Sequence, residues 1–390
     1  MITRNRLITL CLIFTFLFFS NLDMLSATER TAIPETDFSI YLPDGWESLN
    51  SSKGMYSFTD SEHKAVFQVY VFSSKDPNSI IEIYNAYMSR LGAQEEHAEF
   101  SYNGESALFG DFNFKPSAWK ARGYTIALYT EKGIVILSAY APLQFYNNYH
   151  DKLLSCIDSF SPASNKIMKP GPISHFYYNT GKKNPRPRSI FIPPLTLTAE
   201  MDPAEAEASQ VFIEREARVL TEFEENWKTA WIRYYRLVFR DSFVRFTETA
   251  EKFQSAISDK TIERKNVPII LLKWLQTFSY KRKNSTSDLH APIEALFTKT
   301  ADCDGRALIF CILLEHLGFD TLLLVSKDYS HSIAAVNAPL KGDKKVKFEG
   351  NTYILAEFTE DVPIGSIQDK ISDMSKWIPV SFPKSSHADF

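Results

Sequence analysis

Seven prolines between Pro162 and Pro194 divide this 390-residue chain into two regions with different hydrophobic periods. Proline fixes φ and removes an amide donor, so neither a long helix nor a central strand runs through such a stretch. The stretch also carries Lys166, Lys169, Lys182, Lys183, Arg186 and Arg188. It predicts an extended, solvated basic linker over 163–200, with contact to an anionic surface the lesser alternative. The linker separates a module at 34–162 from a second region at 201–380.

The first region reads as strands with two helices. Residues 38–42 alternate and end in the turn Pro43-Asp44-Gly45, and the runs 65–72, 106–114, 123–130 and 133–141 are β-branched and aromatic. Ile81, Tyr84, Tyr87, Met88 and Leu91 recur at helical spacing over 80–91, and 145–160 predicts a closing amphipathic helix. The expectation is an antiparallel α/β sandwich. With the element Leu42-Pro43-Asp44-Gly45-Trp46, this pattern resembles the PsbP and Mog1-like proteins. No acid–base cluster or ligand spacing occurs in it, so it reads as a binding or packing module.

Arg4 and Arg6 precede the apolar run 7–19, and Leu25-Ser26-Ala27 offers a small-residue cleavage site. This is the form of a secretory signal over 1–27, short for the ~20 residues of a membrane span. The expected location is exported (periplasmic, cell-surface or secreted), with membrane attachment only if the segment stays uncleaved. Removing Arg4, Arg6 and Asp23 leaves 41 basic against 46 acidic residues, a net charge of −5. That balance excludes an evident nucleic-acid partner.

In the second region, Asp202-Pro203 predicts a helix start, a carboxylate N-cap followed by proline at the first helical position. Helical spacing runs to about 224 and again over 227–257. Trp227, Trp231, Tyr234, Tyr235, Phe239, Phe243 and Phe246 form an aromatic stripe there, interleaved with arginines. Glutamates nearby match those arginines, so the stripe reads as the core face of a helical hairpin.

Four cysteines are too few for a disulfide scaffold, and they differ in context. Cys11 lies in the export segment, with no small residue before it to suggest lipidation. Cys156 and Cys311 sit among apolar residues as core thiols. Cys303, in Asp302-Cys303-Asp304, opens a helix that Gly318 ends. There the free amides and helix dipole are expected to lower its pKa and favour the thiolate. A nucleophile needs a base. His316 is on the same helix, 13 residues away or roughly 20 Å, which eliminates it. His290 stays open, and His331 opens a strand whose end a packed sheet would bring to Cys303. Glu357, ending a further strand, could orient the imidazole, with Asp361 as the fallback acid.

These residues carry a resemblance. Trp274-Leu275, Phe278-Ser279-Tyr280, Pro292 and Leu296 precede Asp302-Cys303-Asp304. Leu313-Leu314, Leu317-Gly318-Phe319, His331 and Glu357-Phe358-Thr359 follow in order. The stretch 271–362 resembles a transglutaminase-like core of the papain-like superfamily. Departures are Glu357 where the family has Asp, Ala301 for a glycine, and Ser332 after the histidine. The whole chain is thus expected to be α+β: an N-terminal antiparallel sandwich, a proline-rich linker, and a C-terminal helical hairpin with a papain-like transglutaminase core.

The resemblance implies a Cys303–His331–Glu357 triad. It would cleave or transfer peptide-like amides through a thioester, with the Cys303 amide in the oxyanion hole and Trp274, Gln276 or Tyr280 as a further donor. The implied partner is a peptide or protein amide substrate. No cofactor is implied, and no Cys/His metal spacing or nucleotide loop occurs. The alternative is a catalytically degenerate scaffold that binds a protein or cell-envelope partner.

Overall fold

The computed structural model describes residues 30–49, 51–52, 54–72, 78–116, 119–178, 184–223 and 227–383. The export segment expected over 1–27 lies outside the described residues. Among those described, no helix is long and apolar enough to cross a membrane.

After the short pair β1 (Thr31–Ala32) and β2 (Ser39–Ile40), seven strands form one antiparallel sheet. They are β3 (Glu47–Ser48), β4 (Met55–Thr59), β5 (Val66–Val71), β6 (Gln94–Tyr102), β7 (Glu105–Phe114), β8 (Ala121–Thr130) and β9 (Gly133–Pro142). Their spatial order is β3-β4-β5-β9-β8-β7-β6. Period-2 alternation gives the sheet two apolar faces. Along β9, Val135 and Leu137 join one core while Ile134 and Ile136 join the other. Helix α2 (Tyr146–Asp158) covers the first face and α1 (Ile80–Leu91) the second. Ser79 and Glu82 form a reciprocal capping box on α1, and Gly92 ends it at φ 61°. Both helices fall where the spacing predicts them. Strand β6 does not register in the sequence: it is a mostly exposed edge, rich in glutamate, without an alternating apolar face.

The extended linker expected over 163–200 is corrected by the structure. Its described residues hold a short helix, α3 (Pro172–Tyr177), and a hairpin of β10 (Arg186–Ile192) with β11 (Leu195–Met201). Pro193-Pro194 occupies the turn with a cis bond. A two-stranded hairpin has only edge strands, and these tolerate Pro187. Its apolar face (Ile190, Ile192, Leu195, Leu197) shares a core with Phe246, Ala250 and Phe253.

Helices α4 (Pro203–Leu220) and α5 (Trp227–Arg245) follow, and Asp202 caps α4 by accepting from the Ala204 amide at 2.9 Å. The second helical stretch breaks at Phe246, so α6 (Thr247–Asp259) is separate. Next come α7 (Val267–Gln276), α8 (Pro292–Thr298) and α9 (Cys303–His316). A second antiparallel sheet comprises β12 (Asp320–Ser326), β13 (His331–Asn337), β14 (Lys345–Phe348), β15 (Asn351–Ala356) and β16 (Ile378–Ser381). Its order is β14-β15-β13-β12-β16. Helix α9 is apolar nearly all round because it is buried nearly all round, against this sheet and the helices. The architecture is α+β with several antiparallel sheets.

The two regions meet through buried charge. Arg215 contacts Asp158 at 2.6 Å and Glu216 at 2.7 Å, and Arg233 reaches Glu216 at 3.2 Å. Arg233 also donates to the Ser155 hydroxyl and the Tyr41 carbonyl, and Arg240 to the carbonyls of Asp158 and Phe160. Tyr234, Tyr235, Phe239 and Phe246 of the aromatic stripe are core, as its spacing predicts, while Trp227, Trp231 and Phe243 are half-buried, and Arg233 and Arg240 between them are buried as clamps between the regions.

Candidate active site

Asp302, Cys303 and Asp304 form the N-terminal turn of α9. Asp302 is the N-cap, its carboxylate accepting from the Gly305 amide at 2.9 Å. Cys303 is 3% exposed and donates its thiol proton toward Asp304 Oδ1 at 3.4 Å. The other Asp304 oxygen accepts from the Tyr235 hydroxyl on α5. Arg306, one turn on, donates to the carbonyls of Phe278 and Phe358, both at 2.7 Å. It thereby ties the helix start to the segment bearing Glu357.

His331 opens β13 immediately after Ser330, which turns the chain at φ 47°. Antiparallel pairing of β13 with β15 runs through Ala334 and Ala356, which leaves Glu357 just beyond the strand beside the imidazole. His331 Nε2 and Glu357 Oε2 are 2.8 Å apart. Glu357 Oε1 accepts from the amide and the hydroxyl of Thr359, both at 2.8 Å. The acid-x-Thr pattern thus has a local reason: threonine two residues on fixes the carboxylate. The Trp377 and His331 ring centroids are 6.2 Å apart.

Cys303 and His331 line one cleft of about 300 Å³. Ser332, next to His331, lines the same cleft. The expectation of a lowered thiol pKa is overturned. Burial pushes the Cys303 thiol up, the charges of Asp304 and Asp302 add to it, and the Ser332 amide offsets only part. A helix N-terminus contributes at most ~2 kcal/mol to an anion, and here it is outweighed. The opposing carboxylates are the motif's own flanking residues. Asp302 is itself raised, by burial and then by Asp304.

The remaining candidates fall outside this pair. His316 stacks on Phe243 at 3.7 Å, far along α9. His290 is buried with Nδ1 4.0 Å from Glu294, and burial lowers its pKa. Asp361 is exposed, and Glu357 rather than Asp361 meets the imidazole. Gln276 is spent on the carbonyls of Glu357, Glu360 and Val362, so it clamps the acid's loop instead of facing the cleft. Trp274 is buried in the core. Tyr280 is half exposed beside Arg306, and its pKa is raised by burial and then by the Cys303 charge. Cys156 and Cys311 are buried core thiols; burial pushes Cys156 up to about 12.

Asp288, Asp302 and Asp304 each bring a carboxylate oxygen to within 4.8 Å of the others, close enough to share one cation. Cys/His spacing carries no trace of carboxylates gathered from separate segments. Also invisible in the sequence are Tyr235, Trp231 and Leu220, which reach the cleft from helices α4 and α5. Their periodicity marks them only as core.

No protein family and no curated protein matches the chain. Solved structures match at low identity, three among them as follows. Cyanobacterial PsbP from Synechocystis is 10% identical, matches 34% of this chain and 91% of its own, and has a TM-score of 0.30. LpqN of Mycobacterium tuberculosis, described as involved in cell envelope biogenesis, is 11% identical over 34% of this chain and 90% of its own, at 0.25. A protein from Bacteroides thetaiotaomicron is 10% identical over 83% of this chain and 88% of its own, at 0.27. At these TM-scores the likenesses carry no argument about function, and the PsbP-like expectation for 34–162 gains little from them.

Proposed function

We propose that the protein is an exported, cysteine-dependent hydrolase or acyltransferase of the transglutaminase-like, papain-like type, acting on peptide-like amides. One observation carries the reading. An imidazole, held at 2.8 Å by a buried carboxylate, opens onto the cleft that contains a cysteine at a helix N-terminus.

The chemistry follows from the atoms. Glu357 accepts from His331 Nε2–H, which leaves Nδ1 free as the base. Nδ1 takes the thiol proton as sulfur attacks the amide carbon. Collapse of the tetrahedral intermediate breaks the C–N bond, and the imidazolium returns the proton to the departing amine. Water or a primary amine then attacks the thioester, again giving its proton to His331, and the thiol is regenerated. Because burial and Asp304 hold the thiol protonated, the proton moves during attack and not before it. The amides at the start of α9 face the developing oxyanion.

A second reading, a degenerate scaffold that binds an envelope partner, is favoured by the raised thiol and by Glu357 where the family has Asp. Alkylation of Cys303 by iodoacetamide separates the two. General-base assistance contributes about 10²–10⁴-fold. We expect His331→Ala to slow Cys303 alkylation at pH 7.5 by about a hundredfold, with the fold intact by circular dichroism. An unchanged rate overturns the enzyme reading and leaves the scaffold.

A further inference from the structure

We propose that the wall of the cleft formed by α4 and α5 selects an aromatic or large aliphatic side chain adjacent to the amide presented to Cys303. This rests on the thiol-enzyme reading and adds a substrate class to it.

Two kinds of side chain line the cleft. Asp302, Asp304, His331 and Ser332 bring polar groups to it beside Cys303, and α4 and α5 bring the apolar side chains Ala217, Leu220 and Trp231. Trp231 is half-buried, so part of its indole faces the cleft. Its position is braced. The Trp227 ring meets it edge-on at 5.4 Å, and Lys327, from the turn that leads to His331, lies 4.9 Å over Trp227. Tyr235 stands four residues after Trp231 on α5, hence on the same face. Its hydroxyl donates to the Asp304 carboxylate whose other oxygen accepts the hydrogen bond of the thiol. One helix therefore offers the apolar contact and fixes its distance from the nucleophile.

Between them Arg233 is anchored to Glu216, the Ser155 hydroxyl and the Tyr41 carbonyl. The N-terminal region thus braces the helix that carries Trp231. That gives the module at 34–162 a part in the site without touching substrate. At about 300 Å³ the cleft lies at the small end of ligand sites, with room for one large side chain beside an amide.

The test compares two probes with one warhead, iodoacetamide and N-benzyl-iodoacetamide, on the full chain. The readout is the ratio of their second-order rate constants at Cys303, followed by mass spectrometry. A methylene in an apolar pocket discriminates by about 10–200-fold, so a ratio of at least about ten is expected for the wild type. Trp231→Ala should bring the ratio close to one, and Leu220→Ala should lower it less. Taking a ratio cancels any change in the thiol itself. Equal rates in the wild type, or a preference that survives both substitutions, overturns the inference. A rate insensitive to His331→Ala overturns the thiol-enzyme reading instead, whatever the ratio.

Discussion

Two buried charged clusters in this molecule are built on opposite plans. At the junction of the regions, Asp158, Glu216, Arg215 and Arg233 alternate in sign, and Ser155 and Ser174 complete their hydrogen bonds. Burial alone would lower the Arg215 pKa, but Glu216 and Asp158 raise it further than burial lowers it. At the cleft, Asp288, Asp302 and Asp304 converge on one another and on a thiol, with Arg282 3.6 Å from Asp288 at the exposed rim. The first arrangement holds structure together. The second keeps groups in protonation states that cost free energy, which is where chemistry is to be sought.

The contrast breaks first at the junction. Removing one partner of a buried pair leaves the other charge uncompensated and costs about 3–5 kcal/mol. Asp158→Ala strands Arg215 against Glu216 alone and leaves the Ser174 amide unpaired. We expect a loss of that size in urea unfolding, in a single transition for both regions. Two separate transitions would mean that the regions are independent, against the shared interface.

The same logic predicts the reverse at the cleft. Asp304→Asn removes one of the two carboxylates that push the Cys303 thiol up, and its amide oxygen can still accept from Tyr235. With less negative charge beside the sulfur, alkylation at pH 7 should rise severalfold while stability holds or improves. A slower reaction would show that Asp304 assists the thiol.

How far this was legible depends on whether a feature is local. Capping at Asp202, the 3.6-residue period of α1 and the turn at Gly318 are properties of adjacent residues, and the sequence carries them openly. So is the order of Cys303, His331 and Glu357. Strand β11 was also legible, since Leu195, Leu197 and Ala199 alternate with exposed residues, but the neighbouring prolines overrode a period that was present. The junction was not legible. Arg233 and Arg240 have the same spacing whether they face water or Tyr41 and Phe160, which lie more than 70 residues away. The thiol's environment failed for another reason. The helix dipole favours an anion at Cys303, yet burial and two flanking carboxylates are larger.

Glu357 gives the smallest and most specific test of the contrast, because its charge is buried at the cleft yet matched. Burial raises its carboxyl, but the hydrogen bond and charge of His331, with the amide and hydroxyl of Thr359, lower it below the ordinary value of 4.5. A depressed folded pKa contributes stability above the unfolded pKa and loses it as pH falls through the folded value. Glu357→Gln keeps the shape and abolishes that titration. The wild type should therefore be the more stable at pH 7, and its advantage should shrink on acidification below about 4.5, followed as the difference in Tm. An advantage that stays constant down to pH 3 would mean that Glu357 is not ionised against His331. The pair that fixes the imidazole's orientation would then be a neutral hydrogen bond.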